Sequence, residues 1–353
     1  MGQAPQIPSS ENSGHPKLTR EETSLLRQKA EAGDLAAQAM LGKAYLDGDG
    51  VPANDKLALN WIRKAAEHGN AEAQSELGLL YRTGRGLERN KEEAVKWYRK
   101  AAFQRNPSAM FNLGTAYYNG DGLPIDDLSA LAWFWAAEDV GSQPAAEAAR
   151  RSENEMKAFL KLDAYLRLAD MYQEGTDLPQ DFAAAAKWYR KAADAGSLPA
   201  RVKLASMMIL ARGIPQNFIQ ARQDCEEAGK HNYSPGDLCM GLLFQQGLGV
   251  TADPKEAAKW FTRAAELQNS TAMYLLGQMY WKGDGLKPDK VKAYTWMWLA
   301  ASAAVPGARE DVDRLTQQMQ DKDVADAQKN ARKWASQHVA FGLRKNRQII
   351  PSN

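Results

Sequence analysis

Apolar and small residues return along this chain in a fixed register. Leu41-Gly42-x-x-Tyr45 is followed by Leu77-Gly78-x-x-Tyr81, Leu113-Gly114-x-x-Tyr117 and Leu276-Gly277-x-x-Tyr280. Looser copies stand at Leu168-Ala169-x-x-Tyr172, Leu204-Ala205-x-x-Met208 and Met240-Gly241-x-x-Phe244. The second residue of each falls at 42, 78, 114, 169, 205, 241 and 277, a spacing of 36 broken by one gap of 55. A tryptophan lies 19 residues after six of these positions (Trp61, Trp97, Trp133, Trp188, Trp260, Trp296), and repeat five holds Asp224 there. A unit of this length cannot bury its own apolar face and has to stack on its neighbours. Apolar spacings of three and four predict two amphipathic helices per unit and no strands.

Punctuation sets the helix ends. Gly-x-Gly closes the first helix at Gly48, Gly84, Gly120, Gly247 and Gly283, where glycine can take the left-handed conformation of a helix C-terminus. An Asp or Asn a few residues later caps the second helix, which carries Trp-Tyr-x-Lys-Ala-Ala. A capping box from Thr19 to Glu22 starts a lone second helix over 20–32. Trp133-Phe-Trp135 and Trp296-Met-Trp298 each precede a proline, so repeat three resembles an internal last repeat. The expected organisation is a disordered tail over 1–18, a half-repeat and repeats 1–3 over 19–141, a helical insertion over 142–160, repeats 4–7 over 161–304, capping helices over 305–340 and a tail over 341–353. With no Gly or Pro between Pro144 and Gly175, the insertion is expected to run into the first helix of repeat four.

Residues 71–102, from Ala-Glu-Ala-Gln-Ser-Glu-Leu-Gly-Leu-Leu-Tyr-Arg-Thr-Gly-Arg-Gly-Leu to Lys91-Glu-Glu-Ala-Val-Lys-Trp-Tyr-Arg-Lys-Ala-Ala102, resemble the Sel1-like repeat almost throughout. That family is a relative of the tetratricopeptide repeat with a longer internal loop. The resemblance implies an all-α, superhelical α/α solenoid of seven 36-residue helix-turn-helix repeats, with an N-terminal half-repeat and C-terminal capping helices. It implies a non-catalytic adaptor for a protein or peptide in signalling, the envelope or host contact, often bacterial. By resemblance to tetratricopeptide repeats, the groove positions holding varied residues include Arg82, Phe111, Tyr118, Asn119, Tyr274, Gln278, Trp281 and Lys282. The aromatic pairs Phe111 with Tyr118 and Tyr274 with Trp281 are the expected anchors. A cell-envelope hydrolase of β-lactam or peptidoglycan type and a self-associating structural solenoid are the alternatives.

Composition narrows the chemistry. Lys+Arg is 45 against Asp+Glu 43, too balanced for a nucleic-acid binder, and the apolar runs fall far short of the ~20 residues of a membrane span. The four histidines, His15, His68, His231 and His338, form no catalytic or zinc motif, and the groove positions hold no His or Cys. Asp47-Gly-Asp49-Gly50 resembles part of a calcium loop, but Ala58 stands where the closing Glu is needed. No cofactor, metal or catalytic residue is expected. Cys225 and Cys239 lie on consecutive helices, equidistant from a turn near Asn232, so a disulfide is geometrically open to them; two buried free thiols are the alternative. A bridge would place the chain in an oxidising compartment, and the polar 1–18 segment looks like the start of an exported protein, periplasmic or secreted. The cytoplasm is the other compartment left open.

Overall fold

The computed structural model describes residues 17–342. Of the expected tails, 1–16 and 343–353 lie outside the described residues. Among these the chain forms eighteen α-helices and no strand, the all-α repeat architecture expected. α1 (Arg20–Glu31) is the half-repeat. The first three pairs are α2 (Leu35–Asp47) with α3 (Asp55–Glu67), α4 (Ala71–Thr83) with α5 (Lys91–Phe103), and α6 (Pro107–Asn119) with α7 (Asp127–Asp139). After α8 (Gln143–Glu155) come α9 (Ala158–Glu174) with α10 (Phe182–Asp194), α11 (Leu198–Leu210) with α12 (Phe218–Lys230), α13 (Ser234–Gln246) with α14 (Pro254–Glu266), and α15 (Ser270–Lys282) with α16 (Lys290–Ser302). α17 (Ala308–Thr316) and α18 (Asp321–Gly342) close the chain. Two compact units are formed, Met1–Ala192 and Ala193–Asn353.

Each hairpin is built from the same local bonds. Asn70 Oδ1 accepts from Ala73 N–H at 2.8 Å and starts α4; Gly84, at φ 76°, ends it. The backbone N–H of the next cap, Asn90, then returns to the Tyr81 carbonyl at 2.9 Å. The same return bond recurs from Asn54 to Tyr45, Asp126 to Tyr117, Asp253 to Phe244 and Asp289 to Tyr280. The tyrosine slot thus fixes the loop through its carbonyl while its ring packs. The second loop glycine meets the preceding hairpin: a Cβ at Gly122 would lie 2.5 Å from the Lys91 carbonyl carbon. Four tryptophans of the 36-residue register, Trp61, Trp97, Trp188 and Trp260, carry a cation from one turn on over the ring, as with Lys100 Nζ 3.9 Å from the Trp97 ring centre.

The interruption has a packing cause. Residues 129–137 of α7 are buried continuously, so α7 must be covered on every side. α6, α8 and α9 all pack on it. Trp135 Nε1 donates to Glu153 Oε1 of α8 at 2.8 Å, and Arg167 of α9 donates to Ser129 Oγ at 2.6 Å and Asp126 Oδ2 at 3.1 Å. The expected continuous helix is therefore two: Met156 turns extended (φ −88°, ψ 137°), because two segments docked side by side on one helix cannot be collinear. α16, the other Trp-x-Trp helix, is covered by α15, α17 and α18 in the same way.

Within a hairpin the closest approach is at the Leu-Gly glycine. A Cβ on Gly78 would stand 2.6 Å from Tyr98 Cε1 and 3.1 Å from the Ala94 carbonyl oxygen. Overpacking of this kind costs roughly 1–3 kcal/mol. Gly78→Ala is expected to lower the melting temperature, and the combination with Tyr98→Val to cost less than the two single changes added. Thermal unfolding of the four proteins checks this; strict additivity would show that the two positions do not press on each other.

Candidate partner-binding site

The groove positions read from the repeat register fall into different environments. Phe111 is 4% exposed and packs on Phe134, ring centres 5.7 Å apart. It is core, because the bulky α7 draws the whole adjacent face of α6 inward, and it is unavailable as a surface anchor. Tyr274, Gln278 and Trp281 are covered by the chain's own capping helix. Tyr274 Oη and Gln278 Nε2 donate to Asp311 Oδ2 of α17 at 2.8 and 3.2 Å. Arg314, ion-paired to Asp311, lies over the Trp281 ring at 5.9 Å. Burial and the Asp311 carboxylate push the Tyr274 phenol up to about 12. Both aromatics of the repeat-seven pair thus belong to the packing of the cap, and Lys282 alone of that group is exposed. Arg82 is half-buried on α4.

Tyr118 and Asn119 are placed differently. They close α6 at the mouth of a cleft of about 800 Å³, lined also by Ile125, Asp127, Ser152, Glu155, Met156, Lys157, Phe159 and Leu160. One wall is the loop into α7; the other is the elbow between α8 and α9. Tyr118 Oη donates to Glu155 Oε2 at 3.4 Å, and burial together with that carboxylate raises the phenol's pKa. Ile125 is 68% exposed and Phe159 59%, a pair of large apolar side chains facing solvent on opposite walls.

Ile125 was not among the expected site residues, yet its register position is informative. The corresponding residues are Ala53, Arg89, Gln180, Gln216, Ala252 and Pro288. Where that residue is polar it folds back onto its own hairpin: Arg89 Nε donates to the Arg82 carbonyl at 3.0 Å, Gln180 Nε2 to Gln173 at 2.9 Å and Gln216 Nε2 to Ile209 at 3.0 Å. Isoleucine has no donor, and repeat three alone places a large aliphatic side chain there. Among the described residues no group of three His, Cys, Asp or Glu side chains is placed to hold a metal ion, and no helix is long and apolar enough to cross a membrane.

Helical hairpins that follow one another along the chain, almost every helix in them 13 residues long, define an α/α repeat protein. The Sel1 repeat model matches residues 35–70, 71–104, 107–137, 162–197, 238–269 and 270–305, more than half of the chain, and the chain belongs to the Sel1-repeat family. No curated protein matches it. Among solved structures, a Sel1 repeat protein from Oxalobacter formigenes is 30% identical over 84% of this chain and 80% of its own, with a TM-score of 0.41. The c5321 protein, a protective antigen present in uropathogenic Escherichia coli strains displaying an SLR fold, is 20% identical over 94% of this chain and 99% of its own, with a TM-score of 0.34. Sel1 repeat proteins generally mediate protein–protein interactions.

Repeat five escapes the family model although α11 and α12 form the usual hairpin. Here the structure joins Cys225 of α12 to Cys239 of α13, Cα atoms 5.8 Å apart; both residues are buried. Beside the bridge, Asp237 is fully buried, and its two oxygens accept no hydrogen bond from the described residues. Arg263 Nε lies 3.3 Å from Oδ2, and the Arg263 guanidinium also donates to the Gly229 carbonyl. Burial outweighs the arginine and pushes the Asp237 carboxyl up to about 6. The sign follows: the folded state holds this proton more tightly than the unfolded chain, so the stability it contributes falls as pH rises from about 4 through about 6. Asp237→Asn keeps the shape without the charge. Melting temperatures from pH 4 to 7 should show the wild type losing ground to the variant as pH rises; parallel profiles would contradict the burial argument.

Proposed function

We propose that the chain is a non-catalytic adaptor that holds a segment of a partner protein, with the Tyr118–Phe159 cleft as a principal contact. The family's general role supports this reading. So does the contrast between core slots, which repeat along the chain, and the cleft walls, which do not. The observation that carries it is the pair Ile125 and Phe159, exposed on facing walls: exposed apolar side chains grouped around a cavity mark interaction sites. A photo-crosslinking amino acid at Asn119 of the full chain, expressed in its native host, should capture a discrete protein band. The same residue at Lys96, an exposed second-helix position, should not. Equal capture at both positions, or none at either, would remove the adaptor reading.

The adaptor reading includes an oxidising location, periplasmic or extracellular. A buried bridge between consecutive hairpins supports it, since such bonds persist where thiols are not kept reduced. Cells quenched in acid and labelled with a maleimide of high mass under denaturing conditions should yield unshifted protein. A band shifted by two thiols would place the chain in a reducing compartment.

A further inference from the structure

The same cleft carries information about what it would hold. Its apolar surface comes from Ile125, Met156, Phe159 and Leu160, drawn from two walls that belong to different hairpins. Its charged groups are Asp127, Glu155 and Lys157, two carboxylates against one ammonium. Glu155 is exposed and engaged only at long range by Tyr118 Oη, and Asp127 is an exposed residue of the first turn of α7. An apolar cavity with an acidic edge favours a bulky hydrocarbon side chain that arrives with a cation beside it.

We propose that the cleft binds an extended protein segment presenting a large aliphatic or aromatic side chain next to a lysine or arginine. This rests on the adaptor reading above and narrows it. The hydrocarbon group would enter between Ile125 and Phe159, removing both from water. The neighbouring cation would meet the Glu155 and Asp127 carboxylates. The apolar part supplies most of the affinity, because burying a Leu- or Phe-sized side chain contributes more than an exposed ion pair does. The exposed ion pairs act chiefly on choice of partner and rate of encounter. Tyr118, anchored at one end of the hydrogen-bonded pair with Glu155, would hold that carboxylate at the edge.

The chemistry is distinguishable from its competitors. A cleft serving as a seat for a second copy of this chain would show concentration-dependent association abolished by changing its walls. A site for an acidic segment would be weakened by the two carboxylates rather than helped by them. The insertion is what makes the site possible: without the bend at Met156 the second wall is missing.

Random dodecapeptides displayed on phage, selected against the full chain, are the probe. Three proteins are compared: wild type, Ile125→Asn/Phe159→Asn, and Asp127→Lys/Glu155→Lys. All four positions are exposed, so melting temperatures should stay near the wild type's and confirm that each variant folds. Expected winners carry Leu, Ile, Phe or Trp within about two residues of Lys or Arg. Measured by fluorescence anisotropy, a winning peptide should lose at least about tenfold in affinity on the apolar double variant, the effect of removing a binding hot spot. The charge-reversed variant should select sequences flanked by Asp or Glu instead. Winners that bind the apolar variant as well as the wild type would overturn the cleft proposal while leaving the adaptor reading in place. Winners with no basic neighbour would overturn the partner chemistry, and self-association lost on the apolar variant would replace it with a second copy. Failure to enrich any sequence would count against both readings.

Discussion

One close approach governs this molecule: a helix bearing glycine or alanine lies directly against a bulky side chain twenty positions further on. Gly42 faces Ile62, Gly78 faces Tyr98, Gly114 faces Phe134, Gly241 faces Phe261 and Gly277 faces Met297, and an added Cβ would press on each of these side chains. For four of them a backbone carbonyl sits behind, at 3.1–3.2 Å from the same point, so there is nowhere to retreat. Glycine inside a helix costs about 1 kcal/mol of helix propensity. Full burial of the facing side chain is worth about 1.5–3 kcal/mol, which more than offsets it. The helix separation set here fixes the reach of the tyrosine carbonyl to the next cap, and through it the loop, the start of the second helix and the 36-residue period.

A repeat built on one contact face is complete only when its outer face is covered, and the two places where the chain stops stacking show how that is done. Trp-x-Trp in α7 and α16 adds a second bulky stripe to a helix already buried on one side. α8 and α9 cover the first, α17 and α18 the second. Covering has opposite consequences for function. Over α15 the capping helix consumes the exposed aromatic face, with Asp311 collecting Tyr274, Gln278 and Arg314. Beside α6 the covering helix breaks at Met156, and the break leaves a cavity whose walls carry Tyr118, Ile125 and Phe159.

This explains which parts were legible in the amino-acid pattern. The period, the helix pairing, the caps at Asn and Asp and the half-repeat at Thr19 follow from local rules that each residue obeys within its own hairpin, and all are present. The break at 156 was not legible, because no glycine or proline marks it; it is imposed by two helices competing for one surface. Groove positions were legible as register positions only. Whether a residue there meets solvent depends on what the chain lays over it later, and this is why Tyr118 and Trp281, alike in register, end in a cleft and under a cap. Ile125 carried a signal that register comparison exposes: it stands where three other repeats place a donor that returns to its own hairpin and the remaining three a small residue or proline, so a large aliphatic side chain there faces outward.

Repeat five shows how far the governing contact can be altered before something else must replace it. Ala205 occupies the glycine slot, and the residue twenty further on is Cys225, so a methyl group and a short cysteine side chain replace hydrogen and a bulkier side chain. Much less apolar surface is buried between α11 and α12 by such a pair. The tryptophan of this repeat is also missing, with the buried Asp224 in its place. The lost burial is met by a covalent bond: Cys225 turns its sulfur to the following hairpin, and closing a loop of 14 residues contributes about 3 kcal/mol by restricting the unfolded chain, the same order as one buried aromatic side chain. A family model built on apolar register cannot see that exchange, and its match resumes only at 238, one residue before the partner cysteine. The bridge ties the second helix of the fifth hairpin to the first helix of the sixth, and the period survives through a unit whose own core is smaller than its neighbours'.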